Sequence, residues 1–113
     1  MAKCINLEVF KKTTKNYELR FKENGSAKNI TGWTIYFTVK EKITDTDANA
    51  KINHDVTDHL DATNGKTLIS LTQSDTDRIG NYYYDITYKD NEGNIGVLYY
   101  GRITFKEKTT QRA

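Results

Sequence analysis

From Gly80 the chain continues Asn81, Tyr82, Tyr83, Tyr84, Asp85, Ile86, Thr87, Tyr88, and no other stretch restricts the fold so strongly. Alternation puts Tyr82, Tyr84, Ile86 and Tyr88 on one face and Tyr83, Asp85 and Thr87 on the other, the period-two pattern of a strand with one buried side. A polar segment, Lys89 to Asn94, follows and carries Gly93, which readily accepts positive φ. A second apolar run from Ile95 to Phe105 completes a long aromatic β-hairpin.

The rest of the chain repeats this pattern in shorter pieces. Ile5, Leu7 and Val9 alternate with Asn6 and Glu8; Tyr17, Leu19 and Phe21 alternate with Glu18, Arg20 and Lys22. Gly32 introduces a strand in which Trp33, Ile35, Phe37 and Val39 share a face. Ile52, His54 and Val56 mark a short strand, and Ile69 and Leu71 point inward from the run Thr67 to Leu71. Glu23 to Thr31, with Asn24-Gly25-Ser26, and Glu41 to Lys51 read as polar connections, and Ser74 to Ile79 as a single helical turn. With no proline, turns fall to Gly, Asn and Asp. About seven antiparallel strands with turn signals roughly every 8–12 residues predict an all-β, immunoglobulin-like sandwich. The 113 residues give room for one domain, 1–113, with 106–113 expected as a flexible C-terminal tail.

A formal net charge of +2, with acids and bases mixed along the chain, gives no footprint for nucleic acid or an anionic membrane. No apolar run approaches the ~20 residues of a membrane span, and the N-terminus lacks the apolar core of a secretory signal. Cys4 is the only cysteine, so the fold must stand on packing, which suits synthesis in a reducing cytoplasm.

Several constellations invite chemistry and then fail it. Asp45-Thr46-Asp47-Ala48-Asn49 begins like a calcium loop, but Ala50 stands where the glycine belongs and Val56 where the bidentate Glu belongs. His54 and His59, with Asp55 and Asp58 between them, match no zinc spacing, and a strand would put the two rings on opposite faces. Cys4 has no neighbouring His or helix N-terminus to activate it. No catalytic group, cofactor or metal is expected. Asp77 to Tyr82 reads either as a tyrosine corner, its hydroxyl returning to upstream backbone, or as a plain core aromatic. Trp33, Gly80, Tyr82 and Gly101 are therefore taken as structural, with Trp33 at the position of a sandwich's core Trp.

The outward faces are less ordinary. If Trp33, Ile35 and Phe37 point in, Tyr36 points out; if Tyr82 and Tyr84 point in, Tyr83 points out. With Val97, Tyr99, Ile103 and Phe105 inside, Leu98 and Tyr100 are left outside. Tyr36, Tyr83, Leu98 and Tyr100 then form one patch on neighbouring strands, a large apolar area to leave in water and one that tyrosine suits as an interface or a sugar-stacking platform. A bulge near Gly101 would instead turn Tyr100 inward.

Gly32-Trp33-Thr34-Ile35-Tyr36-Phe37-Thr38-Val39-Lys40, Asp45-Thr46-Asp47-Ala48, Asn64 to Thr72, Asp75-Thr76 before Gly80 to Ile86, and Gly101-Arg102-Ile103-Thr104-Phe105 come in a familiar order. Over about residues 30 to 106 this resembles small immunoglobulin-like virion proteins of tailed bacteriophages, in particular the N-terminal domain family of phage baseplate upper proteins. The resemblance implies a β-sandwich attachment module without catalysis, made in the bacterial host cytoplasm and located in the virion. Its partners would be other virion proteins, the major capsid protein or those of tail and baseplate, with a homo-oligomer as a further option. A chain running only from Met1 to Ala113, without the baseplate proteins' stalk, looks more like a capsid decoration or auxiliary head protein. The alternatives are baseplate or tail attachment, or a carbohydrate- or cell-surface-binding module using the same tyrosines on a glycan.

Overall fold

The computed structural model describes residues 2–110. Ten strands form among them: β1 (Lys3–Cys4), β2 (Leu7–Phe10), β3 (Lys15–Arg20), β4 (Lys22–Glu23), β5 (Ser26–Ala27), β6 (Thr34–Lys40), β7 (Ile52–Val56), β8 (Lys66–Leu71), β9 (Gly80–Lys89) and β10 (Ile95–Lys106). Three of these, β1, β4 and β5, have only two residues each. The large sheet runs β1-β10-β9-β6-β7, with β2 also pairing along β10. A two-stranded sheet, β3-β8, faces it, and β4-β5 is a separate small hairpin. The molecule is an immunoglobulin-like β-sandwich: β6, β9 and β10 take the C, F and G positions, β7 lies at the C′ edge, and β3 and β8 form the opposing B–E pair.

The core lies where the inward residues of the two sheets meet. Ile35, Phe37 and Val39 of β6, Tyr84 and Ile86 of β9, Ile103 and Phe105 of β10, and Val9 of β2 pack against Ile69 and Leu71 of β8. Burial alternates residue by residue along β6, as a strand with one wet side requires. Phe37 is wholly buried, so its truncation to Ala costs about 3–5 kcal/mol. Among the described residues no helix is long and apolar enough to cross a membrane.

Several expectations need correction. The first strand is broken: Ile5 and Asn6 interrupt it, and Ile5 is exposed. Both halves pair with β10 in parallel, whereas the remaining ladders are antiparallel. Glu23 to Thr31 is not all loop, because Asn24 (φ 52°) and Gly25 (φ 82°) make the two-residue left-handed turn of the β4-β5 hairpin. The segment after Leu71 is a turn with no helix. Thr72 N–H donates to Asp75 Oδ2 and Asp75 N–H to Thr72 Oγ1, while buried Thr76 donates its hydroxyl to Thr13 O and accepts Thr13 N–H.

Trp33 precedes β6 and is half-buried, capping one end of the core. It stacks on Tyr88 at 5.1 Å between ring centroids and meets Phe21 edge-on at 5.5 Å. Lys106, placed in the tail by its sequence, ends β10 opposite Phe10, and its carbonyl accepts Lys11 N–H. The last part of that expected tail, residues 111–113, lies outside the described residues.

Candidate functional site: the outer face of the large sheet

The even residues of β6 and the odd residues of β9 form a solvent-side surface whose neighbours are set by register. Tyr36 stands between Asp55 of β7 and Thr87 of β9; Thr38 stands between Asn53 and Asp85. Lys40 is opposite Tyr83, and across the next seam Tyr83 is opposite Arg102 and Asp85 opposite Tyr100. Cys4 of β1 completes the Tyr100 row.

The sites expected from sequence do not all share this face. Tyr100 does and is 46% exposed; Tyr83 and Tyr36 do and are half-buried. Leu98 does not. The β9-β10 register shifts between Val97 and Tyr99, so Val97 faces Thr87, Tyr99 faces Ile86, and Leu98 is the extra residue of a bulge, packed against the core. The bulge thus falls three positions before Gly101. Leu98, expected outside, and Val97, expected inside and 40% exposed, change sides, while Tyr100 keeps its outward place.

The face holds two shallow grooves. One, of about 450 Å³, is walled by Tyr83, Tyr100 and Arg102 and overhung by Ile43, which is 68% exposed on the connection after β6. The other, of about 520 Å³, is lined by Tyr36, Asn53, Asp55, Asp47 and Thr87. Thr38, Lys40 and Asp85 line both. The four-residue patch is therefore three tyrosines divided by a carboxylate.

Asp85 is the residue that sequence reasoning passed over. Burial pushes its carboxyl above the usual range, against the opposing pull of the Thr87 hydroxyl and the Lys40 charge, and nearby Asp47 pushes the same way as burial. Thr87 Oγ1 donates a hydrogen bond to Asp85 Oδ1 at 3.3 Å. The bases beside it are engaged elsewhere: Lys40 Nζ lies 2.9 Å from Asp47 Oδ1, and the Arg102 guanidinium sits 5.4 Å from the Tyr83 ring centroid. The only advance signal was an acid alternating with tyrosines on the outward side of β9.

The structural residues sort differently. Gly101 is needed for space, since a Cβ there would lie 2.4 Å from Ile5 O. Gly80 opens β9 opposite Phe105 with φ 123°. Tyr82 makes no tyrosine corner among the described residues; its ring meets Phe105 edge-on at 5.6 Å, with Arg78 over its face. The hydroxyl that reaches distant backbone is that of Tyr84, which donates to Ile5 O at 2.6 Å. Burial pushes the Tyr84 phenol up to about 12, with Tyr17, Cys4 and Tyr99 adding to the rise.

The two histidines go separate ways. His54 Nε2 pairs with Asp75 Oδ2 at 2.8 Å, whereas His59 bridges Thr67 Oγ1 and the Trp33 carbonyl. Among the described residues no group of three or more His, Cys, Asp or Glu could hold a metal ion.

The chain matches no family model, and no curated protein matches it. Among solved structures it is similar to the N-terminal domain of phage TP901-1 ORF48, with a TM-score of 0.48 and 14% identity over 96% of this chain and 98% of that one. It is also similar to the PKD domain of human KIAA0319, with a TM-score of 0.44 and 14% identity over 96% of this chain and 81% of that one. Murine CRIg gives a TM-score of 0.44 and 11% identity, covering 92% of each chain.

Proposed function

We propose that this chain is a non-enzymatic structural component of a tailed-phage virion that docks on neighbouring virion proteins through the outer face of β6, β9 and β10. The observation that carries the docking is the groove between Tyr83 and Tyr100, continued by Ile43: apolar side chains held on a rigid sheet and left open to water. Such a patch costs free energy while exposed and returns it when covered, and tyrosine loses few rotors on ordering. The virion setting rests on the sequence resemblance to small immunoglobulin-like phage proteins, and decoration of the head is the preferred placement, with baseplate or tail as the alternative.

The test is a Tyr83→Ser/Tyr100→Ser double variant supplied during phage assembly. Particle incorporation should fall sharply while the melting temperature of the free domain changes little. Normal incorporation of the variant would move the interface elsewhere. Localising the wild-type protein in density of the intact particle then separates head from tail. Binding of soluble oligosaccharide by the free monomer, abolished by the same variant, would favour the glycan-binding alternative.

A further inference from the structure

We propose that the open edge of β3 is a docking groove for an extended, acidic segment of a partner protein, which adds to the small sheet as a further strand. This surface is separate from the outer face of β6, β9 and β10, and the inference does not rest on docking through that face.

The backbone comes first. In the β3-β8 ladder Arg20 lies opposite Lys66, and one step further Phe21 N–H donates to Gly65 O at 2.8 Å. Antiparallel ladders alternate, so Lys15, Tyr17 and Leu19 turn their backbone groups toward β8, while Asn16, Glu18 and Arg20 turn theirs away. The far side of β8 keeps the same phase: Lys66 turns away from β3 and exchanges both of its backbone hydrogen bonds with Asp61. On the far side of β3, among the described residues, no strand does the same. In an immunoglobulin sandwich strand A covers that edge of strand B. Here β1 and β2 both lie along β10, so the N–H and C=O groups of Asn16, Glu18 and Arg20 face outward without a partner strand, and all three residues are exposed.

The gap beside this edge also has room for side chains. A groove of about 230 Å³ runs between the two sheets, walled by Leu19 and Phe21 on one side and by Leu98 and Tyr99 on the other. All four are half-buried and pack against the core from outside. A strand added to β3 sends every second side chain toward this groove, so apolar residues at alternate positions cover those four.

Charge selects the occupant. Lys3, Arg20 and Lys22 line the groove, and no carboxylate does. Arg20 donates to the exposed Glu18 carboxylate at 2.7 Å, yet three positive charges against that one leave the rim net positive. Lys3 and Lys22 form no ion pair among the described residues. They flank the gap from its two sides, Lys3 beside Tyr99 on the large sheet and Lys22 just after β3. Aspartate or glutamate on the incoming segment meets both. A second copy of this chain fits less well, because its own β3 brings Arg20 and Lys22 to a rim that is already positive.

The experiment is NMR on isotopically labelled full-length protein with two pools of capped eight-residue peptides. One alternates glutamate with valine, isoleucine or leucine, and the other has lysine in place of glutamate. In the free protein the amides of Asn16, Glu18 and Arg20 should exchange with solvent faster than those of Tyr17 and Leu19. Near saturation the acidic pool should slow exchange at those three amides by about tenfold and shift the signals of Leu98 and Tyr99, and added salt should weaken the effect. Lys3→Glu/Lys22→Glu, which alters two exposed side chains, should weaken binding of the acidic pool by about tenfold or more with little change in melting temperature, and should turn the preference toward the lysine pool. The Tyr83→Ser/Tyr100→Ser variant, changed only on the outer face, should bind the acidic pool as wild type does. Silence with the acidic pool, shifts without slowed exchange at the three edge amides, an equal response to the lysine pool, undiminished binding by the charge-reversed variant, or lost binding in the tyrosine variant would each overturn the proposal.

Discussion

Gly101→Ala isolates the contact that ties the start of the chain to its end. An added Cβ would lie 2.4 Å from Ile5 O, 3.0 Å from Ile5 C and 3.1 Å from Asn6 Oδ1, and the nearest of these belongs to backbone. To reach ordinary contact the Ile5-Asn6 segment must move by about 1 Å, a distance that breaks hydrogen bonds. Three are at stake: Ile5 N–H to Tyr100 O at 2.9 Å, Arg102 N–H to Asn6 Oδ1 at 3.1 Å, and Tyr84 O–H to Ile5 O at 2.6 Å. At about 1 kcal/mol each, with about 1 kcal/mol more for a side chain at φ 154°, the substitution costs roughly 3–4 kcal/mol. Gly93→Ala is the control. Its φ is 85° and no atom lies within 4 Å of the added Cβ, so only the backbone cost of about 1 kcal/mol remains. Chemical denaturation should rank the two variants in that order. Hydrogen exchange should show the Ile5 and Arg102 amides losing protection in Gly101→Ala alone. If Gly101→Ala is no less stable than Gly93→Ala and keeps both amides protected, the close approach is not what requires glycine here.

Two carboxylates should titrate stability in opposite directions. Burial raises the Asp85 pKa in the fold, so its destabilising effect is absent below the unfolded-state value and develops as pH rises through the folded one; Asp85→Asn should melt higher than wild type at neutral pH, with the gain vanishing by about pH 3. For Asp75, burial acts upward but the Thr72 amide, His54 and the Thr72 hydroxyl together hold the pKa below the usual range. Asp75→Asn should therefore melt lower at neutral pH, with a deficit that closes as pH falls through the folded-state value; a deficit unchanged across the same pH series would remove the charge argument. Trp33→Ala should cost about 2–4 kcal/mol, less than a fully buried Trp, because the ring is half-exposed yet stacks on Tyr88 and meets Phe21 edge-on; an unchanged denaturation midpoint would show that this end of the core does not depend on it.

What could be read in advance was whatever local alternation encodes. β6 and β9 carry inward and outward residues of different polarity, so their faces follow from parity alone. In Val97-Leu98-Tyr99-Tyr100 every residue is apolar and parity carries no information, so a bulge could be weighed near Gly101 but not placed at Leu98. The break at Ile5-Asn6 was equally hidden, because it accommodates the close approach of Gly101. The Asn24-Gly25 turn was visible, but its flanks, Lys22-Glu23 and Ser26-Ala27, lack the alternation that would have marked them as strands. Tyr82 and Tyr84 share a face, and which hydroxyl finds distant backbone is decided by where Ile5 lies. Asp85 was placed on the outer face by alternation, but that Lys40 makes its close ion pair with Asp47 and that Arg102 lies over Tyr83 is decided by the fold.

The parallel seam between the first strands and β10 has a kinetic side. Leu7 lies opposite Ile103, and Val9 opposite Phe105. Almost the whole chain must therefore exist before β1 and β2 have a partner. Hairpins such as β9-β10 close locally and early, whereas this seam closes a loop of nearly full length and belongs among the late, slow contacts of folding. Until then the edge of β10 presents unpaired backbone groups, and the N-terminal segment of a second molecule satisfies them as well as its own does. Refolding at high concentration thus favours dimers that exchange their first strands, and refolding at high dilution favours the monomer.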